Sequence, residues 1–144
     1  GGGVEEEFIS EIKKRGLSDK FILTGRRQDV NVFMRLMDIF VFPSEAPYES
    51  FGMVVIEAMS VGIPVIATDI GPVREIITNG VDGVLFPQKS PEKLQSIIIK
   101  LMNDEELRKQ IGENGKNTVL KRFSLKTAIK KIEEVYKKVS GLET

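Results

Sequence analysis

The hydrophobic positions change period repeatedly along the chain, and each change marks an element. Residues 4–15 place Phe8, Ile9 and Ile12 on one side of a helical wheel among acids and lysines, which predicts an amphipathic helix capped at Gly16. Phe21-Ile22-Leu23-Thr24, before Gly25, is a short unbroken apolar run that predicts a buried strand. Helical spacing returns over 29–37 through Val30, Phe33, Met34 and Met37. A second strand is predicted at 39–42, stopped by Pro43, with a loop over 44–50. Residues 51–61 are apolar on nearly every side of a wheel, which predicts a buried helix ended by Gly62. Strands follow at 64–67 and 84–86. Between them Gly71-Pro72 precedes a short helix to Thr78, and Asn79-Gly80 and Asp82-Gly83 are turn dipeptides. Pro91 opens a long helix with Ser90 at its N-cap. From Leu101 onward the pattern is helical apart from a break near 112–124, and the last helix, 124–139, gathers Leu125, Ile129, Ile132, Val135, Tyr136 and Val139.

Strands that are continuous apolar runs and alternate with helices predict an α/β, Rossmann-like fold, a parallel sheet with helices on both faces. The 144 residues make one domain or part of a larger one. With 21 cationic and 21 anionic side chains the net charge is zero, which argues against a nucleic-acid partner. Without cysteine or histidine there is no disulfide framework, no thiolate chemistry and no imidazole base or metal ligand. No signal peptide opens the chain and no apolar run reaches the roughly 20 residues of a membrane span, so the expected location is cytoplasmic, with membrane association left open for the full-length protein. The basic amphipathic last helix suits a membrane surface. Glu133, Glu134 and Glu143 dilute its charge and favour packing instead.

Two acids stand out. Glu57 interrupts the apolar helix and Glu49 precedes it, with Gly52 between them. In an open parallel sheet, ligands bind where strands end and helices begin. The first-turn N–H groups there suit phosphate, and a glycine lets it approach. Glu57 lies about five residues inside, roughly 8 Å along the axis. Two carboxylates repel a phosphate but can each accept the two hydroxyls of a vicinal diol. A molecule built as sugar, diphosphate and ribose fits that layout. On spacing alone the plainer readings also stand: Glu49 as a solvated loop acid and Glu57 on an exposed stripe. A glycosidase-like carboxylate pair fits poorly, because one acid is in a loop, the other is in a helix, and a phosphate site lies between them.

The stretch from Pro43-Ser44 through Glu49-Ser50-Phe51-Gly52-Met53 and Glu57 to Thr68 resembles the signature of retaining glycosyltransferases of the GT-B fold, family 4, the glycosyl transferases group 1. Phe21 to Arg27, Asp38 to Ser44, Asp69 to Glu75 and Asn79 to Phe86 resemble the family's neighbouring segments, with Pro72 where a second glycine is usual. The resemblance implies the C-terminal, donor-binding half of a GT-B enzyme, taken up here by residues 1–144 as a partial domain. It implies a catalytic role for Glu49 on the donor sugar and a diphosphate held by the backbone of Ser50, Phe51, Gly52 and Met53. The ribose diol falls to Glu57, and Arg26 and Arg27 border the base. No metal cofactor is implied. The partners are a nucleotide diphosphate sugar and a sugar or lipid-linked acceptor bound by the other domain. The family's first strands, one carrying an Arg/Lys diphosphate clamp, lie outside the matched region, so this chain alone is expected to be inactive and to bind weakly. Those strands belong between 21–24 and 39–42. The expectation is therefore a fragment whose sheet is paired in an altered way or completed by a second copy, giving a homo-oligomer. The rival reading is a non-catalytic α/β binding module with a relict nucleotide-sugar site. A receiver-like module lacks its acidic cluster here, and no G-x-G-x-x-G follows a strand.

Overall fold

The computed structural model describes residues 2–45 and 51–140, with side chains from Glu6 onward. The chain divides into two compact units, residues 1–30 and 31–144.

In the first unit, helix α1 (Gly2–Lys14) ends where Gly16 N–H donates to Lys13 O and Leu17 N–H to Ile12 O. Phe21 meets Phe8 edge to face, their centroids 6.0 Å apart. The predicted strand at 21–24 is not formed. The segment joins no sheet among the described residues, and Ile22 is 89% exposed. A strand exists only through a backbone partner, and this apolar run has none there. Neither altered pairing within the chain nor a continuous sheet through 21–24 is seen among the described residues.

The division between the units falls after the first residue of α2 (Val30–Met34), and the rest of that helix opens the second unit. Its end tightens into i→i+3 bonds from Leu36 and Met37, which accounts for the longer helical pattern read there. Three strands, β1 (Phe40–Phe42), β2 (Val65–Thr68) and β3 (Val84–Phe86), form a parallel sheet in the order β1-β2-β3. Val41 faces Ile66, and Ile66 faces Val84. Between the strands lie α3 (Met53–Ser60) and α4 (Gly71–Arg74); α5 (Pro91–Asn103), α6 (Glu105–Arg122) and α7 (Leu125–Ser140) follow.

Strand residues alternate between two cores, as a pleat requires. Phe40, Phe42, Val65, Ala67 and Leu85 join α3, α4 and Val119 in one core. Val41, Ile66, Val84 and Phe86 join α5, Leu107 and Ile111 in the other. Helices therefore cover both faces of the sheet, the expected α/β, Rossmann-like arrangement, and α6 contributes to both cores.

The break expected near 112–124 is confined to its end. Helix α6 runs through Gly112 and Gly115 and stops at Phe123. The glycines permit close packing rather than ending the helix. A Cβ on Gly112 would collide with the carbonyl oxygen of Gly62, just beyond α3, and one on Gly115 would stand 3.0 Å from Asp82 O. Asp104 ends α5 and caps α6, its Oδ1 accepting Leu107 N–H at 2.9 Å. At Ser90 the predicted N-cap is in position but its hydroxyl donates to Gln88 O instead.

Helix α7 is capped by Ser124, whose Oγ accepts Thr127 N–H. It has no buried residue, and its apolar side chains from Leu125 to Val139 are exposed, so the packing favoured above is not made within the described chain.

The Gly112 contact makes a directional prediction. Alanine ordinarily favours a helix over glycine by about 1 kcal/mol. Gly112→Ala is nevertheless expected to destabilise the fold by about 1–3 kcal/mol through overpacking, seen as a lower urea midpoint at unchanged m-value. A midpoint at or above wild type would show that α3 and α6 can move apart.

Candidate functional site

The carboxyl ends of β1 and β2 are tied together where Thr68 Oγ1 donates to Phe42 O at 3.3 Å. After β1 the chain passes through residues 46–50, which include Glu49 and Ser50 and lie outside the described residues, and re-enters at Phe51. Gly52 is the N-cap of α3, with φ 80° and ψ 40°. This left-handed conformation is strained for a residue with a Cβ. Space does not forbid a side chain: a Cβ there would stand in ordinary contact, 3.4 Å from Ile76 Cδ1 and 3.7 Å from Val73 Cγ2, so the requirement for glycine is set by the backbone. Val73 and Ile76, both fully buried, form an apolar floor under the helix start.

A glycine cap brings no side-chain oxygen, and the first turn of α3 holds no acid. Intrahelical bonding begins when Val55 N–H donates to Gly52 O at 2.9 Å. The positive end of the helix dipole is thus left without a built-in counter-charge from its own first turn.

Helix α3 is not buried all round, as its composition suggested. Val55, Ile56, Ala58 and Met59 are buried, while Met53, Glu57 and Ser60 share an exposed stripe. The spacing of these three, four and three residues apart, puts them on one face. Glu57 therefore faces solvent rather than the core. Its carboxylate makes no ion pair among the described residues, and its carbonyl accepts Ser60 Oγ–H at 2.7 Å. Phe51 and Met53 are also exposed at the helix start. Phe51, Gly52, Met53 and Glu57 thus come together at one end of α3.

Arg26 and Arg27 belong to the first unit, and their geometry is that unit's own. Arg27 grips Asp29 in a fork, Nε to Oδ1 and Nη2 to Oδ2, both 2.8 Å. That bond raises the Arg27 pKa and lowers that of Asp29.

Residues whose roles the sequence did not reveal complete the surroundings. Asp69, just beyond β2, pairs with Arg74 of α4, whose Nε and Nη2 donate to Oδ1 and Oδ2. The Arg74 hydrogen bond holds the Asp69 carboxyl below the ordinary aspartate range, against a smaller upward push from burial. Asp82 is buried, 4% exposed. Its Oδ1 accepts Thr78 N–H at 2.6 Å and its Oδ2 accepts Thr118 Oγ1–H at 2.8 Å. The apolar residues under Gly52 lie more than twenty positions beyond it in the chain, and local pattern carries no signal of such a contact.

A helix start whose first turn carries no acid, with an exposed carboxylate about one turn further on, suits an anion beside a hydroxylated group. The chain belongs to the glycosyl transferases group 1 family, whose profile it matches over residues 1–118. It is 41% identical over 141 residues to the uncharacterized glycosyltransferase MJ1178 of Methanocaldococcus jannaschii, a match covering 96% of this chain and 39% of that protein. It is 30% identical to the N-acetyl-alpha-D-glucosaminyl L-malate synthase of Bacillus anthracis, covering 90% of this chain and 33% of the relative. Among solved structures, Anabaena Alr3699/HepE in complex with UDP superposes with a TM-score of 0.87 at 30% identity, over 92% of this chain and 36% of that one. The same protein has also been solved with UDP-glucose. The chain thus spans well under half the length of these relatives.

Two outcomes check this geometry. Gly52→Ala should lose about 1–2 kcal/mol of stability from the left-handed backbone alone, measured by denaturant unfolding; an unchanged midpoint would mean that the helix start relaxes freely. In an NMR titration, Asp69 should ionise below ordinary aspartates and return toward them in Arg74→Ala. Because the folded pKa is depressed, the pair's contribution is present at neutral pH and fades as pH falls through that lowered value. Both partners are partly exposed, so the effect on stability is small and screened by salt.

Proposed function

We propose that this chain is the donor-binding part of a retaining glycosyltransferase of family 4, which moves a sugar from a nucleotide diphosphate sugar to an acceptor hydroxyl. The observation that carries the reading is the start of α3. There a left-handed glycine cap lies at the carboxyl ends of β1 and β2, the first turn holds no acid, and Glu57 stands exposed about one turn along. The diphosphate lies against the backbone of Ser50, Phe51, Gly52 and Met53, where the helix terminus supplies the positive potential and no metal ion is needed. Glu57 accepts the two ribose hydroxyls. Glu49 takes the sugar, positioning it and stabilising the charge that develops at the anomeric carbon. Arg26 and Arg27 border the base. The nucleotide in the Anabaena structures, UDP, supports uracil as the base. The acceptor, a sugar or a lipid-linked sugar, is bound by a domain outside this chain, in keeping with the share of its relatives that the chain spans.

Isotope-detected NMR titrations with UDP and 2′-deoxy-UDP test the reading. The wild-type chain should bind UDP saturably, with shifts at Gly52 and Met53, and should bind the deoxy form more weakly. Glu57→Ala should lose about tenfold in UDP affinity, about 1.4 kcal/mol, and should no longer distinguish the two ligands. Equal discrimination in the variant would remove Glu57 from the ribose. Absence of UDP binding by wild type would overturn the reading with uracil as base.

A further inference from the structure

We propose that Arg122 is a positioning residue for the anion site at the start of α3, although it belongs to another helix. The inference rests on the function proposed above. Arg122 is the last residue of α6, and its guanidinium reaches across to the end of α4. Nη1 donates to Ile76 O at 3.2 Å and Nη2 donates to Glu75 O. The same group lies over the Phe123 ring, 5.1 Å from its centroid, and Phe123 packs against the core that contains Ile76. Helix α4 has four residues, too few to hold its shape by its own hydrogen bonds. Glu75, its C-cap, and Ile76, just after it, present carbonyls that need outside donors, and a cation there also suits the dipole. Arg122 supplies both.

The consequence reaches Gly52. Ile76, whose carbonyl Arg122 holds, is fully buried, and its Cδ1 is the nearest atom to the place a Gly52 Cβ would occupy. The first-turn N–H groups of α3 are aimed by a backbone resting on that side chain. One and two turns earlier on the same face of α6, Thr118 Oγ1 donates to Asp82 Oδ2 and Asn114 Nδ2 donates to Val81 O at 2.9 Å. The stripe Asn114, Thr118, Arg122 therefore pins segment 75–82 at both ends. Of the three, only Arg122 bonds the residue that touches the helix start. An always-charged, forked donor can hold two successive carbonyls at once.

The test compares wild type, Arg122→Ala, Arg122→Lys and Ile76→Val by NMR titration with UDP and with uridine, which lacks phosphate. Arg122→Ala should weaken UDP binding about tenfold with uridine binding unchanged, and should move the Gly52 amide resonance of the free protein. Lysine, which keeps the charge but not the fork, should recover only part of the loss. Ile76→Val, which removes the methyl beneath Gly52 but leaves Arg122 in place, should show the same selective loss, and it carries the test if Arg122→Ala fails to fold. Equal losses for UDP and uridine, or wild-type UDP affinity with an unmoved Gly52 resonance, would overturn the proposal. If wild type itself ignores UDP, the functional reading fails on its own. The Gly52 resonance in Arg122→Ala then still decides whether the mechanical link exists.

Discussion

The placement of α3 governs the rest of the larger unit. Its buried side, Val55, Ile56, Ala58 and Met59, lies in the core on one face of the sheet. Just past its end the Gly62 carbonyl is covered by α6 so closely that only a glycine fits at Gly112. Interiors packed to this density do not deform by small steps. Fixing α3 therefore fixes the path of α6, the crossover from β1 to β2, and the point at which the helix start emerges beside the strand ends.

That start depends on parts contributed from far along the chain. Gly52 takes a backbone shape that other residues adopt only at a cost. It is supported by Val73 of a helix too short to stand alone and by Ile76 just beyond that helix, and the segment after the helix is in turn bonded by α6 through Arg122. Polar groups inside this assembly are matched: Asp82, the buried acid, satisfies a backbone donor and a hydroxyl at once. The result is a helix terminus whose donors are held in place by packing while its outward side, with Glu57 and Met53, remains open to solvent. Such pre-organisation suits a ligand whose charge must be met without rearrangement.

Much of this was legible from residue order. The three strands of the sheet and the helix between β1 and β2 follow from runs and periods, and the start of α5 at Pro91 follows from local chemistry, although Ser90 makes no cap bond and the short helix expected to reach Thr78 begins at Gly71 and ends at Arg74. Gly52 and Glu57 were recognisable as a pair because a glycine before an apolar helix and an acid within it are both unusual there. The failures have physical causes. Phe21-Ile22-Leu23-Thr24 reads as a strand, yet no backbone lies alongside to pair with it among the described residues. Gly112 and Gly115 read as breakers, although their role is to let two helices touch. Helix α3 read as buried on all sides because Met53 and Ser60 do not announce that they share a solvent-facing stripe with Glu57.

The sequence by itself determined the class of fold, the positions of the β1–β3 strands and the local shape at Gly52, because these rest on interactions within a few residues: side-chain period, turn chemistry and the freedom of a glycine. Only the tertiary structure decided which glycine meets which carbonyl, that Ile76 lies beneath Gly52, and that Arg122 holds Ile76. Those contacts join residues tens of positions apart. They exist only once two helices have packed on one face of a sheet, and no local preference encodes their distance.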